Sequence, residues 1–446
     1  MQRSLAFALL SSAVYAQQDV WAQCGGQNWS GPTNCESGST CSTVNPYYAQ
    51  CVPGAGATTM VTTTTAAEDS PTKTSATATP TITSAPSGNP FAGYEAYANG
   101  YYSSEIHNLA IPSMSSSLAA KASEVAEVPS FVWLDTIAKV PSMKTHLSAI
   151  REKNNAGADP PIAGIFVIYD LPDRDCAAAA SNGELDIQDG GVAKYKHDYI
   201  DPIRETLVEY SDIQTMLVVE PDSLANMVTN MAVEKCANAA DEYKECTAYA
   251  ITTLDLPNVS MYLDAGHAGW LGWPANLEPT AQLFGELYKN AGSPASVRGL
   301  ATNVANYNAW TISSCPSYTE PNPNCDEKSY VNALAPLLRN NGFPAHFITD
   351  TSRNGVQPTE QIEWGHWCNV QGTGFGVRYT TETGDPLEDA FIWIKPGGES
   401  DGTSDTSAER YDHHCGNDDA LQPAPEAGHW FQAYFEQLLR NANPPF

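Results

Sequence analysis

Short, uninterrupted apolar runs recur along residues 130–394, and most of them lead into a polar residue. An apolar run that does not alternate with polar positions is typical of a strand buried on both faces, as in a parallel sheet. Seven strands are predicted in this way: Ser130–Leu134, Gly164–Tyr169, Met216–Glu220, Ser260–Leu263, Gly299–Asn303, Ala345–Thr349 and Ala390–Ile394.

Helical stretches fit the gaps between these strands. Helices are predicted over Lys194–Tyr210 and over Tyr330–Asn340, which ends just before Gly342, a common helix C-terminal signal. A third helix, Gly428–Asn441, places six apolar residues at helical spacing, which indicates burial in the core. Repeated strand–helix units favour a parallel sheet, and this many in one domain favour a barrel. We therefore predict an α/β fold, a distorted TIM-like barrel with about seven parallel strands.

The sequence MLVVEPDS at residues 216–223 carries two carboxyl groups directly after an apolar run. Pro221 cannot donate a hydrogen bond to a sheet, so the strand should end near Glu220 and leave Asp222 on the following loop. Barrels of this kind keep their chemistry at that end of the strands. A carboxyl group on an apolar floor has a raised pKa, as a general acid requires. Asp222 could equally cap the following helix, and this stretch alone does not decide.

Composition narrows the classes of function. The 446 residues carry a formal net charge of −29, from 51 acidic and 22 basic residues, so we expect no binding to nucleic acid or to an anionic membrane surface. Residues 1–16 have the charged start, short apolar core and small cleavage-site residues of a secretory signal peptide. No later apolar run is long enough to span a membrane. We therefore expect a secreted, extracellular protein.

An extracellular protein keeps its cysteines in an oxidising environment. The chain has 11 cysteines, of which ten can pair and one is left over. Asn28 and Asn258 begin Asn-x-Ser sequences, which are acceptors for N-glycosylation in secreted proteins.

Residues 17–53 form a cysteine-rich unit that is too short to fold without disulfides. Its four cysteines allow three pairings, between which the residues alone do not choose. The unit resembles the fungal family 1 cellulose-binding module, and the resemblance implies the pairs Cys24–Cys41 and Cys35–Cys51 in a small β-rich fold.

The same resemblance implies a flat cellulose-binding face, because coplanar rings can lie on the apolar faces of glucose units. The alternative is a disulfide knot that buries its aromatics or binds another extracellular protein. The residues of the expected face are Trp21, Asn45, Tyr47, Tyr48 and Gln50.

Residues 54–88 are rich in Thr, Ser, Ala and Pro. Such a segment cannot build a core, which predicts an extended, O-glycosylated linker. The linker would raise the local concentration of the large domain, residues 89–446, at the surface that the small unit binds.

The second predicted strand leads into YDLPDRDC at residues 169–176, where three aspartates and Arg174 crowd one strand end. Such crowding shifts the pKa values of carboxyl groups. With Asp222 on the next strand, this end can supply the pair of carboxyl groups that glycoside hydrolysis requires. Residues 167–176 and 217–224 resemble the two signatures of glycoside hydrolase family 6. The resemblance extends over residues 89–446 and includes residues 263–273 and 395–402.

The family resemblance implies a role for each residue of the catalytic centre. Asp222 would be the general acid, and Asp175 would hydrogen-bond it, raise its pKa and help to take a proton from water. Arg174 would balance the charge of the pair. Tyr169 would press on the distorted sugar, and Ser181 would help to hold the attacking water.

The identity of the catalytic base stays open on the residues alone. Asp401 is one candidate, and a water chain toward Asp175 is the other. Because its loop is rich in glycine and polar residues, Asp401 could also be a solvated turn residue. The family inverts the anomeric configuration, so no covalent sugar–enzyme intermediate is expected.

Substrate binding is implied for a second set of residues. The family would place Trp133 and Trp367 on the non-reducing side of the cleaved bond, and Trp270 and Trp273 on the leaving side. Polar residues at strand ends and loops would hydrogen-bond sugar hydroxyls: Asp135, Asp264, His267, Asn306, Lys395 and Glu399.

No spacing of metal ligands such as HExxH appears, so we expect neither a metal nor a cofactor. The adjacent His413 and His414 are interpreted as surface residues.

The family resemblance also implies the disulfides Cys176–Cys236 and Cys368–Cys415, each of which would fix a loop beside the active site. Cys315 and Cys325 lie outside that pattern but flank a Pro/Asn-rich loop. We hypothesise a local disulfide between them, which leaves Cys246 as the free thiol.

The resulting hypothesis is a monomeric, secreted cellobiohydrolase that releases cellobiose from the non-reducing ends of cellulose and binds cello-oligosaccharides. Exo action requires loops that roof the groove into a tunnel, and Asp173–Gly191 and Pro396–Pro425 are long enough. A same-family endoglucanase is the first alternative. A non-hydrolytic cellulose-binding or wall-loosening protein is another, which the intact Asp175 and Asp222 disfavour. A mature N-terminus at Gln17 offers no histidine for a copper oxygenase.

Overall fold

The computed structural model describes residues 17, 23–25, 31–35, 37, 39–45, 48–53 and 88–446. The predicted signal peptide, nearly all of the predicted linker, and Trp21, Asn28 and Tyr47 lie outside the described residues. Of Asn45, Tyr48 and Gln50, only the backbone is described. The chain divides into two units, Met1–Thr74 and Ser75–Phe446.

The first unit contains a small antiparallel sheet. Its strands are β1 (Gln23–Gly25), β2 (Ser39–Asn45) and β3 (Tyr48–Pro53), in the order β1-β3-β2. Disulfides join Cys24 to Cys41 and Cys35 to Cys51, and Cys24 and Cys51 are buried. The prediction of a β-rich unit held by these two pairs is confirmed.

The second unit is built on a parallel sheet. Within a strand of this sheet nearly every side chain is buried, as the unbroken apolar runs predict. The strands are β4 (Glu95–Ala96), β5 (Val132–Leu134), β6 (Ile162–Ile168), β7 (Thr215–Val219), β8 (Val259–Asp264), β9 (Val297–Thr302), β10 (Phe347–Asp350) and β11 (Glu388–Ile392).

The sheet runs from β11 through β10, β9, β8 and β7 to β6, and every pair is parallel. The other edge of β6 pairs with β4 at its start and with β5 at its end. Between β5 and β11 the described residues show one bridge, Ser130 with Trp393. The fold is therefore a distorted, incompletely closed barrel. Strands β5–β11 confirm the seven predicted parallel strands with shifts of a few residues, and the two-residue strand β4 adds an eighth.

One glycine permits the close pairing of β9 and β10. A Cβ atom at Gly299 would lie 1.8 Å from the carbonyl oxygen of His346, well inside van der Waals contact. The backbone N–H of the neighbouring Leu300 donates to that same carbonyl at 2.9 Å. Any other residue at position 299 would therefore separate the two strands.

Helices cover the outside of the sheet. They are α1 (Gly100–Glu105), α2 (Ser116–Val125), α3 (Val140–Asn155), α4 (Gly191–Lys194), α5 (Asp201–Glu209), α6 (Leu224–Thr229), α7 (Glu234–Thr253), α8 (Pro274–Asn290), α9 (Glu327–Asn340) and α10 (Gln432–Arg440). A π-helical segment, Tyr195–Ile200, joins α4 to α5.

The predicted helices are found with adjusted limits. The stretch predicted as Lys194–Tyr210 is α4, the π-helical segment and α5. Helix α9 ends at Asn340, and Gly342 follows in the left-handed region with φ 80°, as its C-terminal signal predicts. Helix α10 begins at Gln432, later than predicted, and its apolar side chains are buried as expected: Tyr434, Phe435, Leu438 and Leu439.

Three further disulfides join Cys176 to Cys236, Cys315 to Cys325 and Cys368 to Cys415. They include the hypothesised local pair, and Cys246 is a buried free thiol. All of these expectations are confirmed. Among the described residues, no helix has the length and apolar character that crossing a membrane requires.

The prediction that Asn258 accepts a glycan is wrong. The side chain is buried, and its amide nitrogen donates to the carbonyls of Leu207, Tyr210 and Ile213. A side chain that is enclosed and hydrogen-bonded in this way cannot carry a glycan in the folded protein.

Candidate active site

Three neighbouring strands end at one level of the barrel, and acidic residues cluster at their ends. Ile168, Val219 and Leu263 are paired directly across β6, β7 and β8. The residues after them therefore emerge at the same edge of the sheet, which brings Glu220 and Asp264 side by side. This is the carboxyl-terminal edge, where the sequence predicts the chemistry.

Four acidic residues on the loops leaving β6 and β7 adopt the left-handed backbone region. Asp173, Asp175, Glu220 and Asp222 have φ angles of 55°, 52°, 51° and 56°. Non-glycine residues rarely adopt this conformation, because it costs about 1–3 kcal/mol for each residue. Such residues cluster at functional sites, where the surrounding structure holds the backbone in the strained conformation. The loops thus turn sharply away from the sheet immediately at the predicted catalytic carboxyls.

The buried carboxylate of Glu220 holds these turns in place. It accepts hydrogen bonds from the Tyr195 hydroxyl at 2.7 Å and from the backbone N–H groups of Asp170 and Leu171 at 3.4 and 3.3 Å. Burial raises its pKa to about 7, although the Tyr195 hydrogen bond opposes the increase. Glu220 therefore ties the end of β7 to the end of β6, a role that the sequence does not predict.

Asp222 is partly exposed, and its carboxyl oxygens accept no hydrogen bond from the described residues. Its backbone N–H donates to Asp264 Oδ1 at 3.2 Å. Although part of the residue is exposed, its carboxyl group is largely removed from water, which raises the pKa of Asp222 well above its usual range, and the charges of Asp264, Asp175 and Asp401 raise it further. A carboxyl group in this environment keeps its proton and can give it to a leaving group.

The alternative role for Asp222, capping the next helix, is wrong. Helix α6 starts at Leu224 with Ser223 as its N-cap residue, and no side chain caps its first turn. Asp222 contributes its backbone instead, because its carbonyl accepts a hydrogen bond from Asn226 Nδ2 at 2.6 Å. The carboxyl group of Asp222 is therefore not used to cap helix α6.

Asp175 is buried beside Tyr169. Its Oδ2 accepts a hydrogen bond from the Tyr169 hydroxyl at 2.5 Å. The expected hydrogen bond between Asp175 and Asp222 is not found among the described residues, and the charge of Asp175 is what raises the pKa of Asp222. Burial raises the pKa of Asp175 to about 6, and the Tyr169 hydrogen bond and the Arg174 charge limit the increase. The carboxyl can therefore change its protonation state in the acidic to neutral range.

Arg174 organises the loop behind this pair. Its guanidinium donates to the carbonyls of Asp135 and Ser181 at 2.7 and 3.0 Å, and also to the carbonyl of Tyr169. It forms a buried ion pair with Asp170 at 3.3 Å and lies 4.2 Å from the centre of the Tyr169 ring. Arg174 thus fixes Tyr169 and the backbone at Ser181, whose side chain is partly exposed.

Asp401 is buried, so the alternative of a solvated turn residue is wrong. Its two oxygens lie 2.8 and 2.7 Å from Arg353 Nη1, and Oδ2 also accepts from the Tyr307 hydroxyl at 2.9 Å and from the Asn369 N–H at 2.8 Å. Arg353 has no exposed side-chain surface. The Asp401 carboxyl group is therefore held in place by donors that the sequence does not reveal.

Three of the expected substrate-binding tryptophans are fixed by their indole N–H groups. Trp133 donates to the Ile394 carbonyl at 2.8 Å, Trp270 to Thr229 Oγ1 at 2.7 Å, and Trp273 to the Gly269 carbonyl at 2.9 Å. All three rings remain partly exposed. Their polar edges thus bond to protein while a ring face is left for a ligand.

The fourth tryptophan, Trp367, packs against His414, with 5.4 Å between ring centres. Elsewhere in the site, Lys395 Nζ lies 3.5 Å from Glu399 Oε2 and 5.8 Å from the centre of the Trp133 ring. The expected hydrogen-bonding pair Lys395 and Glu399 therefore lies next to one aromatic platform.

The remaining expected binding residues are strongly tied to their surroundings. Asp135 pairs with Lys139 at 2.7 Å, and Asn306 Oδ1 accepts the N–H of Tyr307 at 2.8 Å. His267 Nδ1 lies 3.1 Å from Asn308 Nδ2, and burial lowers its pKa to about 4. His267 is therefore neutral at physiological pH, and its other ring nitrogen remains for a sugar hydroxyl.

Two long loops meet at this edge of the barrel. We call Asp173–Gly191 the first roof loop and Pro396–Pro425 the second. The Ala179 N–H donates to Asp412 Oδ2 at 2.9 Å, and the Arg410 guanidinium donates to the Ala180 carbonyl at 2.9 and 2.6 Å. These bonds, the roof contact, join the two loops, and each loop also carries one cysteine of a disulfide.

The packing of the roof contact leaves no spare room. A Cβ atom at Gly402 would lie 2.8 Å from Ala180 Cβ and 2.6 Å from Cys415 Sγ. A side chain at this position would separate the loops, so a glycine is required where they approach each other.

Two carboxyl groups of raised pKa, Asp175 and Asp222, lie on loops that leave neighbouring strands of this sheet, and glycoside hydrolysis uses such a pair of carboxyl groups. Comparison with known proteins agrees. The family model for glycosyl hydrolases family 6 matches residues 91–442, and the fungal cellulose binding domain model matches residues 20–48. The chain belongs to glycosyl hydrolases family 6.

Relatives match over nearly the whole length. A probable 1,4-beta-D-glucan cellobiohydrolase C from Neosartorya fischeri is 70% identical over 445 residues, covering 99% of both chains. The catalytic core of the cellobiohydrolase Cel6A from Chaetomium thermophilum is 69% identical, with a TM-score of 0.80 over 80% of this chain and 100% of that one. Cellobiohydrolase II from Humicola insolens, solved with glucose and cellotetraose, is 64% identical, with the same TM-score and the same two coverages.

Proposed function

We propose that this chain is a secreted cellobiohydrolase that releases cellobiose from the non-reducing ends of cellulose with inversion of configuration. The roof contact between Ala179, Ala180, Arg410 and Asp412 carries the proposal, because it joins two loops beside the catalytic carboxyls. The names of the relatives, and the cello-oligosaccharide in the Humicola insolens structure, support the substrate class.

The acid is assigned to Asp222. Its pKa is raised by burial and by neighbouring negative charge, so it enters the reaction protonated. Asp175 and Asp401 are less suited to this role, because the carboxyl group of each already accepts hydrogen bonds from protein donors. In the acid step the C–O bond to the leaving sugar breaks, and the glycosidic oxygen takes the proton of Asp222.

Water supplies the other half of the reaction: its oxygen bonds to the anomeric carbon as the C–O bond to the leaving sugar breaks, and its proton passes to the base. A retaining enzyme needs a carboxylate oxygen free to attack the sugar, but Asp401 accepts hydrogen bonds on both oxygens. The same saturation weakens Asp401 as a direct base, since taking a proton would break a buried ion pair. We therefore favour the water chain toward Asp175 and an inverting mechanism, with Ser181 helping to hold the attacking water.

Exo action follows from a roofed groove. A chain end can thread under joined loops, whereas attack in the middle of a cellulose chain requires that the loops part. The same-family endoglucanase remains the alternative for the same site. The raised pKa of Asp222, and the acidic neighbours that contribute to it, disfavour a non-hydrolytic binding protein.

The proposed domain organisation is a signal peptide (1–16), a cellulose-binding module (17–53), a linker (54–88) and a catalytic domain (89–446). Binding to crystalline cellulose is assigned to the module. Hydrolysis by two carboxyl groups needs only water, so no metal or cofactor is proposed for catalysis. As a separate point, we propose that the protein is a monomer. The acidic composition opposes binding to nucleic acid and membranes.

The product profile tests the proposal. The protein is incubated with cellulose, soluble sugars are separated, and proton NMR follows the first sugar released. We expect cellobiose as the main product, initially as the α-anomer. Initial release of the β-anomer would exclude inversion, and a spread of longer oligosaccharides with new reducing ends in the solid would favour the endoglucanase.

A truncation tests the module. Removal of residues 17–88 should lower activity on crystalline cellulose far more than activity on soluble oligosaccharides, because the module acts by concentrating the enzyme at the solid. Equal losses on the two substrates would contradict the proposed division of labour.

A further inference from the structure

Three potential metal ligands lie together on the second roof loop, outside the catalytic centre. Asp412, His413 and His414 each place a ligand atom within 4.8 Å of the other two. His413 Nδ1 and His414 Nδ1 lie 3.5 and 2.8 Å from Asp412 Oδ1. The His413 side chain is 78% exposed, whereas the Asp412 side chain is 6% exposed, so the group is open to solvent on one side and anchored on the other.

The donor set has a clear chemical preference. Two imidazole nitrogens and one carboxylate oxygen suit borderline divalent ions such as Zn²⁺ and Cu²⁺. Ligands at about 2.0–2.2 Å from zinc lie roughly 3–3.5 Å apart in a tetrahedral site. The 3.5 Å between His413 and Asp412 falls within this range, and the 2.8 Å hydrogen bond between His414 and Asp412 has to open slightly to admit an ion. The formal charge of −29 also raises the concentration of cations near the surface.

We propose that Asp412, His413 and His414 form a binding site for a divalent transition-metal ion, and that the ion fastens the roof contact. Asp412 serves both purposes with different oxygens. Oδ1 faces the two imidazoles, while Oδ2 accepts the Ala179 N–H at 2.9 Å. An ion on Oδ1 restricts the carboxylate and so holds the first roof loop against the second.

The surroundings support a fixed site. Asp412 is the N-cap of the short 3-10 turn His413–Gly416, and Cys415 in that turn is bonded to Cys368. The backbone that carries both histidines is therefore held at each end. The His414 ring also packs against Trp367, which connects the site to an aromatic platform of the groove.

Calorimetry with zinc tests the proposal on the full-length protein at neutral pH. We expect one tight Zn²⁺ site that is weakened at least about tenfold by His413→Ala and by His414→Ala. His107→Ala is the matched control, because His107 is also exposed and its ring bonds to a backbone carbonyl of its own helix. This variant should bind zinc like the parent protein.

Two further measurements separate binding from misfolding. Zn²⁺ should raise the midpoint of thermal unfolding of the parent protein and of His107→Ala, but not of His413→Ala, whose exposed side chain can be removed without disturbing the fold. Cu²⁺ bound to the parent should show imidazole nitrogen couplings in electron paramagnetic resonance. Zinc binding of equal strength in all variants, or the absence of any tight site in the parent, would overturn the proposal.

Discussion

Asp222 and Asp401 are aspartates of the same site with opposite surroundings. Asp401 is held by Arg353, Tyr307 and the Asn369 N–H, whereas no described residue donates to the Asp222 carboxyl, which has carboxylates as neighbours instead. Burial raises the pKa of Asp222, and the neighbouring negative charges raise it further. Two aspartates of one site thus have different partners: hydrogen-bond donors hold the carboxyl of Asp401 in place, whereas that of Asp222 keeps its oxygens available for a ligand.

Removal of the proton donor should have the largest effect. Asp222→Ala is expected to lower the turnover of cellulose by roughly 10²- to 10⁴-fold, with cellulose binding unchanged. The loss should be smaller on an aryl cellobioside whose leaving group needs little protonation. Asp189→Asn, at a highly exposed carboxylate, is the control, and equal losses on both substrates would contradict the acid role.

Removal of the partner of Asp401 should mainly affect stability. Arg353→Met leaves a buried carboxylate without its cation, which is expected to lower the free energy of unfolding by about 3–5 kcal/mol. Urea unfolding measures this change. The double variant Arg353→Met/Asp401→Asn should regain part of the loss, and Arg298→Met, at a more exposed ion pair, should lose less. If Arg353→Met left the free energy of unfolding unchanged, the buried Asp401 would not depend on the guanidinium group of Arg353.

A change on the base side should move one limb of the pH profile. The Tyr169 hydrogen bond lowers the pKa of Asp175, so Tyr169→Phe should raise it. Because the ionised Asp175 is needed to accept a proton, activity on the acidic limb would then appear only at higher pH. The profile of kcat/KM measures this limb, and a shift to lower pH would refute the assignment.

A change on the acid side should move the other limb by less. The charge of Asp264 raises the pKa of Asp222, and Asp264→Asn removes that charge while keeping an oxygen for the Asp222 N–H. The alkaline limb, where Asp222 loses its proton, should therefore fall at lower pH. An unchanged alkaline limb in this variant would mean that burial alone sets the acidity of Asp222.

Much of the fold could be predicted from sequence because its strands are buried on both faces. An unbroken apolar run such as Leu217–Val219 has few other structural solutions, and Pro221 marks where the strand stops. The disulfides between Cys176 and Cys236 and between Cys368 and Cys415 are implied by family resemblance and agree with the structure.

The parts that could not be predicted depend on contacts between distant segments. Tyr307 and Asp401 are 94 residues apart, and no local pattern indicates that they meet. The left-handed φ angles at Glu220 and Asp222 also could not be predicted from the residue types, since glutamate rarely adopts them. The glycosylation motif at Asn258 misleads for a related reason: the motif is local, but the side chain is used inside the fold.

The anchored indoles have a consequence for how a polymer travels. Trp133, Trp270 and Trp273 use their N–H groups on protein acceptors. In the binding mode proposed for these residues, a glucose unit would therefore stack on a ring without a hydrogen bond to the indole. A chain that advances would exchange one ring contact for the next and break no such hydrogen bond, so the proposed mode predicts low friction along the groove.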